Sequence, residues 1–236
     1  MLLAINILWI ILSCFCAYLI GAIPFSVWIG RLVKGVDVRD YNTGNPGAIN
    51  SIKTFGFGLG LFIMLLDISK GSLVIFLIDQ LFSHSSFISQ DGSNPSYTLM
   101  CLLGPFFAIL GHNYSVWLKF KGGQGMGVFM GTLLYVNPLI FIACGLLMLI
   151  PSGLFKASGR VSGATGVLSS IPIALFLPLG PPWSGVHTDW LLGSGGFVHL
   201  TQGFLVAAMV LAMFSSLLIV LFTRSRRGST NWFSKK

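Results

Sequence analysis

Long apolar runs separated by short polar segments dominate the chain. The first run extends from about Leu3 to Leu32, with an expected kink at Gly21 and Pro24. The second covers Phe55 to Phe82 and is interrupted by Asp67 and Lys70, and the third spans about Tyr97 to Leu110. The stretch from Met126 to Pro151 is too long for one span, and a turn at Asn137-Pro138 would divide it into two short helices. Two further runs cover about Gly163 to Pro178 and Phe197 to Phe222. Runs this long and this apolar predict membrane-spanning helices. The count is seven if the Asn137-Pro138 turn holds and six if it does not. The weak member is the fourth helix, at roughly 12 residues, which is thin for a bilayer or partly re-entrant.

Charge favours seven. With the N-terminus outside, the inside segments are 31–53, 111–125, 156–162 and 223–236. They hold Arg31, Lys34, Arg39, Lys53, Lys119, Lys121, Lys156, Arg160, Arg224, Arg226, Arg227, Lys235 and Lys236, thirteen of the 14 basic residues. The outside loops at 83–96, 137–138 and 179–196 hold none, as the positive-inside rule requires. Six spans would put Lys156 and Arg160 outside and weaken this asymmetry.

Composition agrees. The sequence is 54% hydrophobic and 8% charged, whereas a soluble domain carries about a quarter charged residues. The net charge of +8 does not point to nucleic acid, because the basic residues sit in short loops between apolar runs. Cys14, Cys16, Cys101 and Cys144 lie inside apolar runs without metal-ligand spacing and read as small packing residues. The first basic residue is Arg31, so the N-terminal run reads as a span and not a signal peptide. Trp28, Tyr97, Trp117, Trp183, Trp190 and Trp232 read as interface anchors. No internal repeat or low-complexity segment is present. The expectation is a single domain over residues 1–236: an all-α polytopic transmembrane bundle, N-terminus outside and C-terminus cytoplasmic.

Three inside segments concentrate the small polar chemistry. Tyr41-Asn42-Thr43-Gly44-Asn45-Pro46-Gly47-Ala48-Ile49-Asn50, followed by Lys53, offers the amides, carboxamides, hydroxyl and cation that an oxyanion or phosphate needs, or is an ordinary capped turn. Gly111-His112-Asn113-Tyr114 and Lys119-Phe120-Lys121-Gly122-Gly123-Gln124-Gly125 form a candidate phosphate cradle, or a flexible linker, without Walker A spacing. His112 is a candidate base or a hydrogen-bonded interfacial residue. Ser158-Gly159-Arg160-Val161-Ser162 is the third segment. Asp67 and Lys70 lie three residues apart on one helical face and form either a structural ion pair or a substrate contact.

Together these motifs resemble the bacterial acyl-phosphate:glycerol-3-phosphate acyltransferases, small seven-span enzymes of phospholipid synthesis. The resemblance covers about Gly21 to Ser162, with a faint tail after Arg224. It rests on Gly21-Ala22-Ile23-Pro24-Phe25, Gly35-Val36-Asp37-Val38-Arg39, Thr43 through Asn50, Asp67-Ile68-Ser69-Lys70-Gly71, Gly111-His112, Phe120 through Gly125, and Ser158-Gly159 with Ser162. It implies transfer of a fatty acyl group from acyl-phosphate to the 1-hydroxyl of glycerol 3-phosphate, giving lysophosphatidate and phosphate. The implied catalytic residues are Thr43, Asn45 and Lys53. Gly44, Gly47, Asn50, His112, Lys121, Gly122, Gly123, Gln124 and Ser162 are the implied substrate-binding residues, and Asp67 and Lys70 a polar network. It implies no cofactor or metal, only the two substrates and membrane lipid as partners. The active-site loops would face the cytoplasm from the cell inner membrane. Catalysis would rest on positioning and on charge stabilisation of the carbonyl oxyanion.

The sequence departs from the family pattern at four places. Thr43 replaces a serine and Lys53 an arginine, which keeps the charge but loses the bidentate fork. Gln124 replaces a lysine. Phe214 to Thr223 lacks the family's closing His-x-x-Asn pair. These departures leave open a divergent member with another acceptor or donor, or a non-catalytic binder of a lipid phosphate. Asp67 and Lys70 alone would support a transporter.

Overall fold

A computed structural model of the chain describes residues 2–82, 95–155, 159–176 and 211, and all regular structure among them is helical. In chain order the helices are α1 (Leu2–Ala22), α2 (Phe25–Lys34), α3 (Ala48–Phe55), α4 (Phe57–Phe82), α5 (Pro95–Asn113), α6 (Met126–Val136), α7 (Pro138–Phe155) and α8 (Gly159–Phe176). Single 3-10 turns at Val38–Asp40 and Val116–Leu118 lie in the connecting segments. The run expected at Phe197 to Phe222 falls, apart from Leu211, outside the described residues. So do Lys156, Ser158, Trp183, Trp190, Trp232 and the basic tail.

Among the described residues, three segments are long and apolar enough to cross a membrane: Leu3–Lys34, Phe57–Phe82 and Leu99–Leu118. Met126–Val136, Pro138–Pro151 and Val161–Ile173 are shorter apolar helices. The expected turn at Asn137 is present. The Asn137 Oδ1 accepts from the amides of Leu139 (2.9 Å) and Ile140 (3.3 Å), which caps α7. One expectation is corrected. The first run is broken, not kinked: α1 stops at Ala22 and α2 starts at Phe25, because Pro24 has no N–H to continue the ladder. The second run holds as α4, which begins after Gly56, whose φ of 88° turns the chain sharply from α3. Asp67 and Lys70 do not interrupt α4, since they neutralise each other within it.

Small residues set the helix contacts. A β-carbon on Gly21 would collide with the carbonyl of Ala108, and one on Gly111 with the carbonyl of Tyr18, which locks α1 to α5. In the same way Gly71 meets Val128 and Gly131 meets Ile68, which locks α4 to α6. Backbones this close gain dispersion contacts where no hydrophobic force acts between helices. The main apolar core gathers Val74, Ile75, Ile78, Met100, Ile109, Phe129 and Leu133 between α4, α5 and α6. A second cluster of Val27, Val38 and Leu118, with Phe55 against it, ties the connecting segments and short helices α2 and α3 into one unit.

Tyr97 corrects the anchor expectation. It is fully buried and donates to Asp79, while Trp28 and Trp117 are exposed and meet edge to face at 5.9 Å. Of the cysteines, Cys14, Cys101 and Cys144 are buried packing residues and Cys16 is exposed.

Candidate active site

The break after α1 generates the site. A helix end leaves its last carbonyls without intrahelical partners, and a cation is favoured there by the helix dipole. Lys70 of α4 supplies that cation. Its Nζ donates to the carbonyls of Ile23 (2.9 Å) and Gly21 (3.3 Å) and pairs with Asp67 Oδ1 at 2.8 Å. The remaining carbonyl, that of Ala22, accepts from the Ser115 hydroxyl. The face of Phe25 lies 5.3 Å from the ammonium. His112 of α5 completes the group, its Nδ1 3.2 Å from Lys70 Nζ and 3.9 Å from Asp67 Oδ1. Asp67, Lys70 and His112 are all buried.

The glycine loop folds back over His112. The amide of Gly123 donates to the His112 carbonyl (2.9 Å) and that of Gly122 to the Asn113 carbonyl (3.1 Å). A β-carbon on Gly122 would strike those carbonyls, and one on Gly123 would strike the His112 ring at Nε2. The pair of glycines is therefore a close-packing device whose own amides are spent. The amides left over belong to the start of α6, after Gly125 turns the chain at φ 81°. That helix start abuts the ion pair, since a β-carbon on Gly127 would meet the side chain of Asp67. Lys121 and Gln124 are exposed beside it.

The segment between α2 and α3 is held from within. Asp37 caps the 3-10 turn through the Arg39 amide (2.9 Å) and grips the Arg39 guanidinium at 2.7 and 3.0 Å. Arg31 adds a contact at 2.8 Å. Donation by Arg39 above all holds the Asp37 carboxyl at about 2, well below its ordinary value. The Asn50 side chain is buried and fully engaged: it donates to the carbonyls of Val38 (2.8 Å) and Tyr41 (3.2 Å) and accepts from the Thr43 amide (3.2 Å). Ser26 pins Pro46 by donating to its carbonyl at 3.0 Å. Asn45 differs from its neighbour, because its Oδ1 is buried with no hydrogen-bond partner. Thr43, Gly44 and Lys53 are exposed.

A small cleft, with room for about one water molecule, lies among these parts. Its lining includes Ile23, Pro24, Pro46, Asp67, His112, Ser115, Gly122 and Gly123. Of the residues singled out in the sequence, it brings together His112, Gly122, Gly123 and Asp67, with Lys70 directly behind. Thr43, Asn45, Lys121 and Gln124, in the adjoining loops, and Lys53, in α3, are not in the lining. Ser162 lies at the start of α8, buried, its Oγ without a partner; its neighbour Gly163 packs against Met126 at the start of α6. Sequence reading missed Ser26 and Ser115, whose one signal was a lone hydroxyl next to a predicted helix break. Among the described residues, no group of three His, Cys or acidic side chains is placed to hold a metal.

The sequence pattern that defines the glycerol-3-phosphate acyltransferases matches residues 11–227. A glycerol-3-phosphate acyltransferase of Acholeplasma laidlawii is 32% identical over 177 residues, 74% of this chain and 72% of that one. One from Staphylococcus aureus is 36% identical over 147 residues, 62% of this chain and 70% of that one. A third, from Fusobacterium nucleatum, is 38% identical over 123 residues; the match covers 52% of this chain and spans little more than half, 57%, of that relative. In fold, the chain matches the crystal structure of PlsY (YgiH), an integral membrane glycerol 3-phosphate acyltransferase in its glycerol 3-phosphate form, with a TM-score of 0.58 and 24% identity over 91% of this chain and 92% of that one. The matched pattern runs through every element that builds the cleft, and on that ground the chain belongs to the glycerol-3-phosphate acyltransferase family.

Proposed function

We propose that the protein transfers a fatty acyl group from acyl-phosphate to the 1-hydroxyl of glycerol 3-phosphate, as the first step of phospholipid synthesis. The observation that carries this reading is convergence. Segments up to a hundred residues apart, each part of a family motif, meet around one cleft. The hydroxyl oxygen attacks the acyl carbon and the bond from that carbon to the bridging oxygen breaks. Phosphate leaves with the electron pair, and the hydroxyl proton ends on the phosphate product or in water. Asn45, whose acceptor oxygen lacks a partner, orients the hydroxyl; Thr43 and Lys53 hold the acceptor's phosphate beside it. Lys121, Gln124 and the first amides of α6 receive the phosphate of the donor, with Ser162 nearby. Gly44, Gly47 and Asn50 shape the first loop. The chain works as a single domain, without a cofactor, and its acyl chain lies in the surrounding lipid.

The same reading gives seven spans, with the N-terminus outside and the site loops on the cytoplasmic face. The alternation of α1, α4, α5, α6, α7 and α8 supports it, as does the basic character of the segments holding Arg31 to Lys53 and Lys119 to Lys121.

A second reading has its own support. Gln124 stands where the family has lysine, and the closing His-x-x-Asn pair is missing. That fits a member with another acceptor, or a lipid-phosphate binder without turnover. Purified protein incubated with palmitoyl-phosphate and labelled glycerol 3-phosphate separates the two. Lysophosphatidate that disappears in Asn45→Ala supports the acyltransferase. Its absence from a folded sample, unrestored by Gln124→Lys, sinks it.

A further inference from the structure

We propose that the outer face of α2 and the 3-10 turn at Val116–Leu118 form a platform that lies at the headgroup level of the membrane and binds anionic lipid. The platform goes beyond the acyltransferase reading and does not depend on turnover.

Length places it. Helix α1 has 21 residues and is therefore about 31 Å long. That alone crosses a hydrocarbon layer of about 30 Å. Helix α2 begins at Phe25, where the chain has already reached the end of that layer. Its inner face, Ser26, Val27 and Gly30, is buried, and a β-carbon on Gly30 would strike the Phe55 ring of α3. The outer face is different. Trp28 and Leu32, one turn apart, and Val33 next to them are exposed, Leu32 at 86%. A cluster of large apolar side chains left open on a short helix marks a surface for lipid or protein, not for water.

The 3-10 turn extends the same surface. Trp117 is exposed and meets Trp28 edge to face at 5.9 Å, so the turn and α2 stand side by side. Lys119 and Phe120 both have left-handed backbone, with φ of 52° and 60°. Residues with a β-carbon resist that conformation. The Phe120 amide, which donates to the Ser115 carbonyl at 2.8 Å, holds it in place. The result is that Phe120 stays 60% exposed, outside the nearby cluster of Val27, Val38 and Leu118. A strained turn that keeps an aromatic ring out of the core points to an occupant outside it.

Charge identifies the occupant. Segments 31–53 and 111–125 carry six basic residues against two acids, Asp37 and Asp40. Asp37 is already shared by Arg31 and Arg39. Lys34, Lys119 and Lys121 are exposed and make no ion pair among the described residues. Indole rings favour the boundary between headgroup and acyl chain. Cations set between such rings favour an anionic leaflet over a zwitterionic one. A second copy docking through the same face would set these cations against each other.

The test is tryptophan fluorescence of the full-length protein in vesicles of phosphatidylglycerol or of phosphatidylcholine, each brominated near the top of the acyl chains. The signal of the platform is the difference between wild type and Trp28→Phe/Trp117→Phe. That difference should be quenched in both lipids. At low salt the quenching should be about twofold stronger in phosphatidylglycerol, and the excess should vanish at about 0.5 M salt. Lys34→Gln/Lys119→Gln leaves the rings in place and should remove the excess while phosphatidylcholine still quenches. Unchanged thermal unfolding in detergent shows that this variant is folded, and the wild-type salt series decides even where it is not. A tryptophan pair quenched by neither lipid lies in water or under protein, which overturns the proposal. Equal quenching by the two lipids overturns it as well, and so does an excess that survives salt or persists in the folded lysine variant. Absence of acyl transfer in the same samples would sink the acyltransferase reading and leave this result untouched.

Discussion

Helix α4 carries two buried aspartates with opposite lives. Asp67 and Asp79 are 3% and 1% exposed and lie twelve residues apart, about 18 Å along the helix axis. Asp67 faces a cation, an imidazole and a glycine loop, and forms part of the cleft wall. Asp79 is capped by phenols, Tyr97 of α5 at 2.6 Å on one oxygen and Tyr135 of α6 at 3.0 Å on the other. Its neighbours Ile75 and Ile78 belong to the apolar core. Burial of an acid thus has two meanings in this bundle. Around Asp79 the polar partners come from side chains and close a knot between three helices. Around Asp67 they include backbone exposed by a broken helix, and the result is a wall with an opening.

The sharpest way to break this comparison is to neutralise each acid. Asp67→Asn strands the Lys70 ammonium in a buried site and should cost about 3–5 kcal/mol, together with turnover. Asp79→Asn keeps an acceptor for one tyrosine and should cost about 1–3 kcal/mol with turnover per folded molecule unchanged. Thermal unfolding in detergent and lysophosphatidate formation read both; loss of turnover in both variants would erase the distinction. Next in size is Gly123→Ala, whose β-carbon displaces the His112 ring. Turnover should fall about a hundredfold with the fold retained. Gly145→Ala, where the added carbon meets Met130 Cε at an ordinary 3.7 Å, should leave turnover unchanged. At the start of α3, Asn50→Ala removes three bonds to the backbone of the preceding segment and should cost about 2–3 kcal/mol. Asn45→Ala should cost under about 0.5 kcal/mol, since no bond is lost, yet abolish product.

The smallest effect is expected at Asp37. Its folded value of about 2 lies below the ordinary 3.8, so its contribution to stability is full above the ordinary value and disappears as pH falls toward 2. The difference in melting temperature between wild type and Asp37→Asn should shrink between about pH 5 and pH 2. A constant difference would show that the Arg39 pair does not steady the loop.

Much of this was legible in the sequence, and for physical reasons. Apolar length marks a span whatever its neighbours, so α4 and α5 stood out, and the Asn137-Pro138 pair announced the turn that Asn137 makes by capping α7. The i, i+3 spacing of Asp67 and Lys70 announced their pair. What was hidden depends on contacts between distant segments. Gly122 and Gly123 read as a cradle for phosphate by their amides, but those amides bond Asn113 and His112, nine and eleven residues earlier. Asn50 read as a ligand, while its carboxamide is spent on Val38, Tyr41 and Thr43. Tyr97 read as an interfacial anchor because its partner Asp79, an acid one helix away, is invisible to local pattern.

The break at Ile23-Pro24 has a further consequence for the membrane as an electrical barrier. A lysine set into an apolar wall is a stepping stone for ions unless every one of its protons is committed. Here two severed carbonyls, a carboxylate and a ring nitrogen surround it at 2.8 to 3.3 Å, and no proton is left to exchange with a passing ion. The interrupted helix therefore holds its buried cation with every proton committed at the same point where it opens a cleft.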